Sequence, residues 1–234
     1  MTKITASEVN NLRKISGAGI MDCKNALVEA NGDTEAAIEI LRKKGQKVAA
    51  KRADRESSEG AAIAKVSSDN STGVIVSLNC ETDFVAKNES FVALANELAE
   101  LAISHETLDD FLNCEIDSMS VSEKLIQQTG VIGEKLVIGN FEKVSAGYVG
   151  KYIHAGNKIA TLVGFSSSVE GIEEASKNVA MQAAAMNPIA LDEDGVDQKT
   201  IEKEIEIAKD QLRQEGKPEA MLDNIAKGKI KRFF

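Results

Sequence analysis

The stretch Asn79-Cys80-Glu81-Thr82-Asp83-Phe84-Val85-Ala86-Lys87-Asn88 stands between a pattern typical of a strand and a pattern typical of a helix. Residues 73–79 (GVIVSLN) before it are rich in β-branched and apolar side chains that alternate between two faces. After it, apolar residues recur at helical spacing from Phe91 to Leu101. The sequence therefore predicts that Asp83-Phe84 lies in a short strand-to-helix connection, where functional side chains are often displayed on a rigid base.

An acid beside a large aromatic residue in such a connection has two interpretations. In the first, Phe84 covers the core and Asp83 accepts hydrogen bonds within a local turn. In the second, the carboxylate and the ring form a wedge that enters a site on another protein. The spacing leaves both interpretations open.

The composition limits the class of protein. The chain has 234 residues, of which 43% are hydrophobic and 28% charged, as in ordinary globular proteins of one to three domains. A net charge of −9 argues against nucleic-acid binding as the main activity, because phosphate contacts need clustered cations. The start of the chain lacks an apolar signal-peptide core, and no apolar run approaches the roughly 20 residues of a membrane span. We therefore expect a cytoplasmic protein with no membrane partner.

Cysteine and histidine usage predicts neither a disulfide framework nor a metal site, and we expect no cofactor. The three cysteines form no CxxC pair, and the two histidines, His105 and His154, are far apart in the sequence. An enzyme with Cys23 or Cys80 as its nucleophile is a further alternative, but neither thiol has an identifiable base nearby in the sequence. The sequence therefore favours a protein without covalent chemistry.

Residues 1–55 are predicted to form a domain of three short helices followed by a basic linker. Thr5 and Glu8 have the spacing of a capping box that starts the first helix. Met21 follows a Gly-Ala-Gly break, where it is either a core residue or an adaptable contact for a partner. Seven cations fall within residues 42–55, which we interpret as a solvated linker, with contact to RNA or an acidic partner as the alternative.

The rest of the chain predicts an α+β fold with two related hairpin-plus-helix halves, at residues 56–140 and 141–187. The strands are expected at 61–67 and 73–79 in the first half and at 148–153 and 158–165 in the second. Ser90 is placed to cap the helix of the first half. The helix of the second half is expected to bury an apolar stripe, formed by Ile172, Ala175, Val179, Ala183 and Met186.

Residues 188–234 predict a helical hairpin and a return segment. The helix at 200–214 carries a narrow apolar stripe between charged faces, and Gly216-Lys217-Pro218 ends it before a further helix. Such a hairpin could project from the core and bind a partner or a second copy of the chain.

Two stretches resemble the signature sequences of bacterial elongation factor Ts proteins. One is Gly17-Ala18-Gly19-Ile20-Met21-Asp22-Cys23-Lys24, preceded by Leu12-Arg13, and the other is residues 79–86. Two long motifs in the right order are specific, and the similarity runs over essentially the whole chain. The sequence is therefore identified as a member of the elongation factor Ts family, the nucleotide-exchange factors of elongation factor Tu. Ile20 stands where the family usually has methionine, a change that conserves volume.

The resemblance implies a mechanism and a set of site residues. The segment Thr82, Asp83, Phe84 and Val85 would enter elongation factor Tu near its bound Mg²⁺ and GDP, and displacement of the metal would weaken GDP binding so that GTP can replace it. Further contacts with the partner are implied for Arg13, Ile20, Met21, Lys24, Ile132, Gly133 and His154.

The resemblance also implies a truncated chain, because members of the family continue past the position of Phe234. We expect that loss to reduce exchange activity.

One alternative function is left open by the sequence. The N-terminal helices are UBA-like, that is, they resemble ubiquitin-associated modules, and a ubiquitin- or nascent-chain-binding adaptor would act through them. That alternative predicts that residues 1–55 alone carry the activity, and it leaves Asp83-Phe84 without a role.

Overall fold

The computed structural model of this chain describes residues 4–230. These residues divide into two compact units, 4–185 and 186–230. The first unit combines helices with antiparallel strands, which confirms the predicted α+β class. Within residues 4–230, no helix has both the length and the apolar character that a membrane span requires.

Most of the helices and the strands of the two hairpins lie close to the positions that the hydrophobic pattern predicts, whereas the strands at Glu115–Ile116, Met119–Ser120 and Val137–Ser145 were not predicted. In chain order they are α1 (Ala6–Ser16), α2 (Ile20–Glu29), α3 (Thr34–Lys51), β1 (Glu59–Val66), β2 (Thr72–Cys80), α4 (Asp83–Ala86), α5 (Glu89–Ala102), α6 (Leu108–Asn113), β3 (Glu115–Ile116), β4 (Met119–Ser120), α7 (Val121–Ile132), β5 (Val137–Ser145), β6 (Tyr148–Ile153), β7 (Ala160–Phe165), α8 (Ile172–Met186), a 3₁₀ turn (Glu193–Gly195), α9 (Gln198–Gln214) and α10 (Glu219–Ile230).

The N-terminal helices start and stop at the residues that the sequence indicates. Thr5 and Glu8 form the predicted capping box at the start of α1, and Gly17 ends that helix with a φ of 67°. Asp33 caps α3 by accepting a hydrogen bond from the Ala36 backbone N–H. Leu12 and Leu27 are buried between these helices in a small core of their own.

The prediction of a basic linker at residues 42–55 is wrong, because α3 continues as far as Lys51. The cations do not break the helix, since Lys and Arg have high helix propensity and their charged ends reach solvent or a partner. Arg42 forms an ion pair with Glu123 on α7. The two helices are in close contact where Gly130 meets Gly45: a Cβ added to Gly130 would lie 2.4 Å from the Gly45 Cα.

Within residues 4–185, one sheet has three antiparallel strands in the order β1-β2-β5. Val74, Val76 and Leu78 point to one face of β2 and are buried in a cluster that includes α5, as the alternation predicts. β5 pairs with β2, so the boundary predicted between residues 140 and 141 falls inside a strand of this sheet. Helix α5 is capped by Asn88 and not by Ser90, whose backbone N–H donates to the Asn88 side chain at 2.9 Å.

The second hairpin, β6-β7, is followed by α8, in the predicted order of hairpin and helix. The predicted apolar stripe of α8 is wrong. The buried residues are Ser176 and Ala180, while Val179 and Met186 are exposed. Gly150 of β6 explains this rotation: a Cβ added there would lie 2.5 Å from the Ser176 Cβ, so the helix packs against the strand through its small residues.

The unit at residues 186–230 contains α9 and α10. Leu212 and Leu222 are buried between these two helices, and Lys209 bridges them through an ion pair with Asp223 at 2.7 Å. Gly216 has a φ of 76° in the connection, as its position after α9 predicts. The end of the predicted return segment, at residues 231–234, lies outside the described residues.

Candidate partner-binding site

The segment Thr82–Val85, here called the wedge segment, lies mostly in the helical turn α4. Thr82 caps this turn, its hydroxyl accepting a hydrogen bond from the Val85 N–H at 3.4 Å. Val85 is packed against the main core and Ala86 is buried, whereas the Phe84 side chain is 83% exposed. The interpretation of Phe84 as a cover for the core is therefore wrong. Because Val85 and Ala86 pack into the core, the turn presents the Phe84 ring to solvent.

Asp83 stands beside Phe84 with a partly exposed carboxylate. Its partner is the Lys87 ammonium, one helical turn later, at 2.6 Å. The hydrogen bond from Lys87 lowers the pKa of Asp83, so the carboxylate is ionised at neutral pH. The wedge segment therefore presents a negative charge and an aromatic ring side by side.

A carboxylate from a distant part of the sequence holds the start of the wedge segment. Glu134 accepts hydrogen bonds from the backbone N–H groups of Glu81 and Thr82 at 3.1 and 3.0 Å, and from the Thr82 hydroxyl at 2.7 Å. The Thr82 hydroxyl thus donates to Glu134 and accepts from Val85 at the same time. These contacts fix the backbone direction at which the chain leaves β2.

The Glu81 side chain also anchors the start of the wedge segment, through contacts with residues that follow α3 and α7. Arg52, at the end of α3, lies 2.7 and 2.8 Å from its two carboxylate oxygens, and the Lys135 backbone N–H donates to it at 2.7 Å. The bond from Lys135 and the charge of Arg52 lower the pKa of Glu81. The Lys135 ammonium donates to the carbonyl groups of Ala53 and Arg55. We call Glu81 and Glu134 together the carboxylate clamp.

The thiol next to the clamp is not activated. Burial and the nearby Glu134 carboxylate raise the pKa of Cys80 to about 11, and its Sγ donates to the Thr82 carbonyl at 3.2 Å. Reactive cysteines have lowered pKa values, so Cys80 is a poor nucleophile. Among the described side chains, no group of three His, Cys, Asp or Glu residues is arranged to hold a metal ion.

The N-terminal helices expose a second candidate surface. Ile20 and Met21 lie at the start of α2, and Met21 is 62% exposed, so its interpretation as a core residue is wrong. Arg13 on α1 and Lys24 on α2 are also exposed. Two apolar and two basic side chains are thus available on one small helical module.

The remaining predicted site residues lie in two places. Ile132 is partly buried at the end of α7, and Gly133 ends that helix with a φ of 84°, immediately before Glu134. The structure thereby brings Ile132 and Gly133 close to the wedge segment through the clamp. His154 is exposed at the β6-β7 turn, and its Nδ1 lies 2.8 Å from the Tyr152 hydroxyl.

Sequence reasoning missed Arg52, Glu134 and Lys135. Arg52 is 29 residues from Glu81, and Glu134 is 52 residues from Thr82. Single charged residues at such separations follow no local pattern. A suggestive signal was the position of Glu134 directly after the two candidate contact residues at the end of α7.

Comparisons with known proteins identify the family. A family model described as Elongation factor TS matches residues 81–234. The Elongation factor Ts of Christiangramia forsetii is 68% identical over 234 residues, which cover 100% of this chain and 85% of the relative. That of Flavobacterium psychrophilum is 64% identical over 234 residues with the same coverage, 100% and 85%. That of Cytophaga hutchinsonii is 47% identical over 238 residues, covering 100% and 86%.

These comparisons confirm the resemblance on which the sequence-based prediction rested. They give no support to a ubiquitin- or nascent-chain-binding adaptor, since the similarity extends over the whole chain and not over the N-terminal helices alone. The chain therefore belongs to the elongation factor Ts family, the nucleotide-exchange factors of elongation factor Tu.

Proposed function

We propose that this chain binds elongation factor Tu in its GDP-bound form and accelerates GDP release by inserting the wedge segment next to the Mg²⁺ site of the partner. Asp83 and Phe84 disturb the groups that hold the metal there. Without Mg²⁺ the diphosphate charge is poorly compensated, so the affinity for GDP falls and GTP can bind to the nucleotide-free complex.

The observation that carries this proposal is the exposure of Phe84. A large aromatic side chain that is 83% exposed gains nothing for the fold, although Val85 and Ala86 beside it are anchored in the core. Burial of such a ring in a partner contributes about 1.5–3 kcal/mol. Because the ring is presented on a fixed turn, the free energy gained by burying it is available for binding to the partner.

Exchange needs no covalent step. The factor weakens nucleotide binding by the same ratio as the nucleotide weakens factor binding. A coupling of about 4 kcal/mol corresponds to roughly a thousandfold change in affinity. A single ring of the size of Phe84 supplies part of that coupling, and the contacts made by the rest of the factor supply the remainder.

We assign the exposed N-terminal residues Arg13, Ile20, Met21 and Lys24 to the surface that grips the nucleotide-binding domain of the partner, as a UBA-like module. Ile132, Gly133 and His154 make further contacts. Met21 is suited to this role because a flexible thioether adapts to an uneven surface. The two basic residues complement acidic groups on the partner.

Four finer features belong to the same proposal. The two hairpin-plus-helix parts are related halves of one core, and residues 188–230 contain a helical hairpin. A second copy of the chain can pair through the outer surface of the helical hairpin, where Ile207 and Met221 are exposed, because the apolar stripe of α9 is already buried against α10. The factor acts in the cytoplasm, where translation takes place. Sedimentation velocity over a range of concentrations tests the pairing of copies: a sedimentation coefficient that does not change with concentration would contradict it.

The decisive experiment is release of a fluorescent GDP analogue from purified elongation factor Tu, followed in a stopped-flow instrument. The parent chain is compared with its Asp83→Ala/Phe84→Ala variant and with Leu191→Ala, which removes another apolar side chain, 98% exposed, outside the candidate site. We expect rapid release with the parent and Leu191→Ala, and a loss of roughly 10- to 150-fold with the double variant, from 1.5–3 kcal/mol at 1.36 kcal/mol per tenfold.

Equal release rates for the parent and the double variant would refute the role of the wedge segment. Absence of binding between the parent chain and elongation factor Tu would refute the proposed function as a whole.

A further inference from the structure

Two carboxylates hold the base of the wedge segment, and each belongs to a different link with the rest of the molecule. Glu134 comes from the segment after α7 and takes three hydrogen bonds from residues 81 and 82. Glu81 directly precedes the wedge segment and contacts Arg52, which follows α3, and the Lys135 backbone N–H. The Glu134 side chain therefore bonds to residues 81 and 82, and the Glu81 side chain bonds to the backbone of residue 135, so that each segment holds the other.

The Arg52–Glu81 pair is shielded on both sides, whereas each of the other ion pairs within residues 4–185 has at least one side chain that is 50% or more exposed. The side chain of Glu81 is 15% exposed and that of Arg52 is 34% exposed, whereas the partners in the Arg42–Glu123 pair are 50% and 45% exposed. Partial burial strengthens a charge-assisted hydrogen bond and makes its loss more costly. The Arg52–Glu81 contact is thus suited to hold a defined geometry.

The clamp also connects the candidate contact surfaces. Gly133 precedes Glu134 in the chain, so one short segment carries both a proposed partner contact and the clamp on Thr82. Arg52 directly follows α3, the longest helix of the N-terminal module. Hydrogen bonds therefore link the wedge segment to the segment that follows α3 and to the segment that follows α7.

We propose that Glu81 and Glu134 are positioning residues for nucleotide exchange, which hold Asp83 and Phe84 at a fixed orientation relative to the partner-binding surfaces, and that Arg52 acts through Glu81. This inference rests on the proposed function of the wedge segment. Neither glutamate needs to contact the partner. Their effect is to present the ring and the carboxylate already in place.

The physical reason is the small size of α4. A four-residue turn has no stability of its own, because helix nucleation is unfavourable and each end lacks hydrogen-bond partners. The Thr82 cap and the clamp together fix its first residues. Without the clamp the wedge segment would sample several orientations, and only the fraction in the competent orientation would act on the partner.

The test separates rate from affinity. Elongation factor Tu loaded with a fluorescent GDP analogue is mixed with increasing concentrations of each variant, which gives the maximal release rate and the half-saturating concentration. For Glu134→Ala we expect a maximal rate that falls about tenfold to a hundredfold, as for other misplaced functional groups, with a half-saturating concentration within about twofold of the parent. Glu134→Gln keeps an oxygen for the two backbone N–H groups, so its maximal rate should lie between those of the parent and Glu134→Ala.

The second pair of variants replaces one arginine each, Arg42 within α3 and Arg52 directly after it. Arg52→Ala removes the Glu81 partner and should also lower the maximal rate. Arg42→Ala breaks an ion pair between α3 and α7 that does not touch the wedge segment, and it should leave the rate unchanged. Circular dichroism and the midpoint of thermal unfolding establish that each variant is folded; if Glu134→Ala is unfolded, Glu134→Gln and Arg52→Ala decide.

Phe84→Ala serves as the reference for the proposed function. If Phe84→Ala loses exchange while Glu134→Ala, Glu134→Gln and Arg52→Ala keep the parental maximal rate, the positioning role is refuted and the wedge mechanism stands. If the Glu134 variants raise the half-saturating concentration and leave the maximal rate intact, the clamp is a binding element and the inference is also refuted. If Phe84→Ala itself exchanges normally, the proposed function fails first.

Discussion

The crossing of α3 and α7 offers a sharp test of how the N-terminal helices are joined to the core. At this crossing both helices carry a glycine, but the two positions are not equivalent. A Cβ added to Gly130 would lie 2.4 Å from the Gly45 Cα, which is backbone. A Cβ added to Gly45 would meet its nearest atom, the Ile126 carbonyl oxygen, at 3.6 Å, which is ordinary contact. Gly130→Ala should therefore destabilise the protein, and Gly45→Ala should not.

The size of the effect follows from these distances. Carbon atoms in contact are about 3.5–4.0 Å apart, so Gly130→Ala requires α3 and α7 to separate by more than about 1 Å. Overpacking costs typically about 1–3 kcal/mol, and a collision with backbone lies at the upper end of that range. Alanine recovers about 1 kcal/mol over glycine in a helix. We therefore expect Gly130→Ala to be about 1–2 kcal/mol less stable than the parent, and Gly45→Ala to be unchanged or up to about 1 kcal/mol more stable.

Urea unfolding followed by circular dichroism measures both variants on the same scale. The same displacement would move the end of α7, and with it Glu134, so Gly130→Ala should also lower the maximal rate of GDP release. Gly45→Ala is the matched control in both assays. A Gly130→Ala variant as stable as Gly45→Ala would refute the close approach of the two helices and the reasoning built on it.

Three further predictions concern other parts of the chain. Met21→Ala should raise the half-saturating concentration in GDP exchange at least about tenfold, since a Met side chain that becomes buried in the partner contributes about 1.5–3 kcal/mol. The control Met181→Ala removes an exposed methionine of α8 and should have no effect. Equal effects of the two variants would contradict the assigned surface. Cys80, with its pKa of about 11, should react with iodoacetamide at pH 8 far more slowly in the native protein than after denaturation, because only about one native thiol in a thousand is ionised at that pH. Peptide mass spectrometry measures both rates, and similar rates would refute the burial of this thiol. Hydrogen bonds from two nearby serines lower the pKa of Asp69 from its ordinary 3.8 to about 2. Its carboxylate therefore stabilises the β1-β2 turn above about pH 4 and loses this effect as the pH falls through 2. The difference in stability between the parent and Asp69→Asn in urea unfolding should shrink between about pH 4 and pH 2, and a constant difference would contradict the prediction.

Hydrophobic periodicity predicted most of the elements of this chain. The alternation of Val74, Val76 and Leu78 identified β2 and its buried face, and the spacing of apolar residues after it identified α5. Both signals are local, since a strand or a helix reveals which face is buried within a few residues. For the same reason the capping box of Thr5 and Glu8 could be predicted.

The errors fall where a local pattern gives no information about the neighbour. The cations of residues 42–55 resembled a linker, but α7 supplies a surface for α3 and Glu123 a partner for Arg42. On α8 the apolar stripe was a plausible buried face, yet the small residue Gly150 draws Ser176 to the strand instead. In both places the packed partner, and not the propensity of the segment, decided the outcome.

The sequence by itself determined the family and the class of fold, and it predicted the wedge segment, because long motifs and hydrophobic periods are carried by neighbouring residues. Only the tertiary structure decided that Phe84 faces solvent while Val85 faces the core, and that Glu134 closes on Thr82 from 52 residues away. Those facts depend on which surfaces meet after the chain has folded. A carboxylate finds its hydrogen-bond donors through the geometry of the whole unit, and no local sequence pattern encodes that meeting.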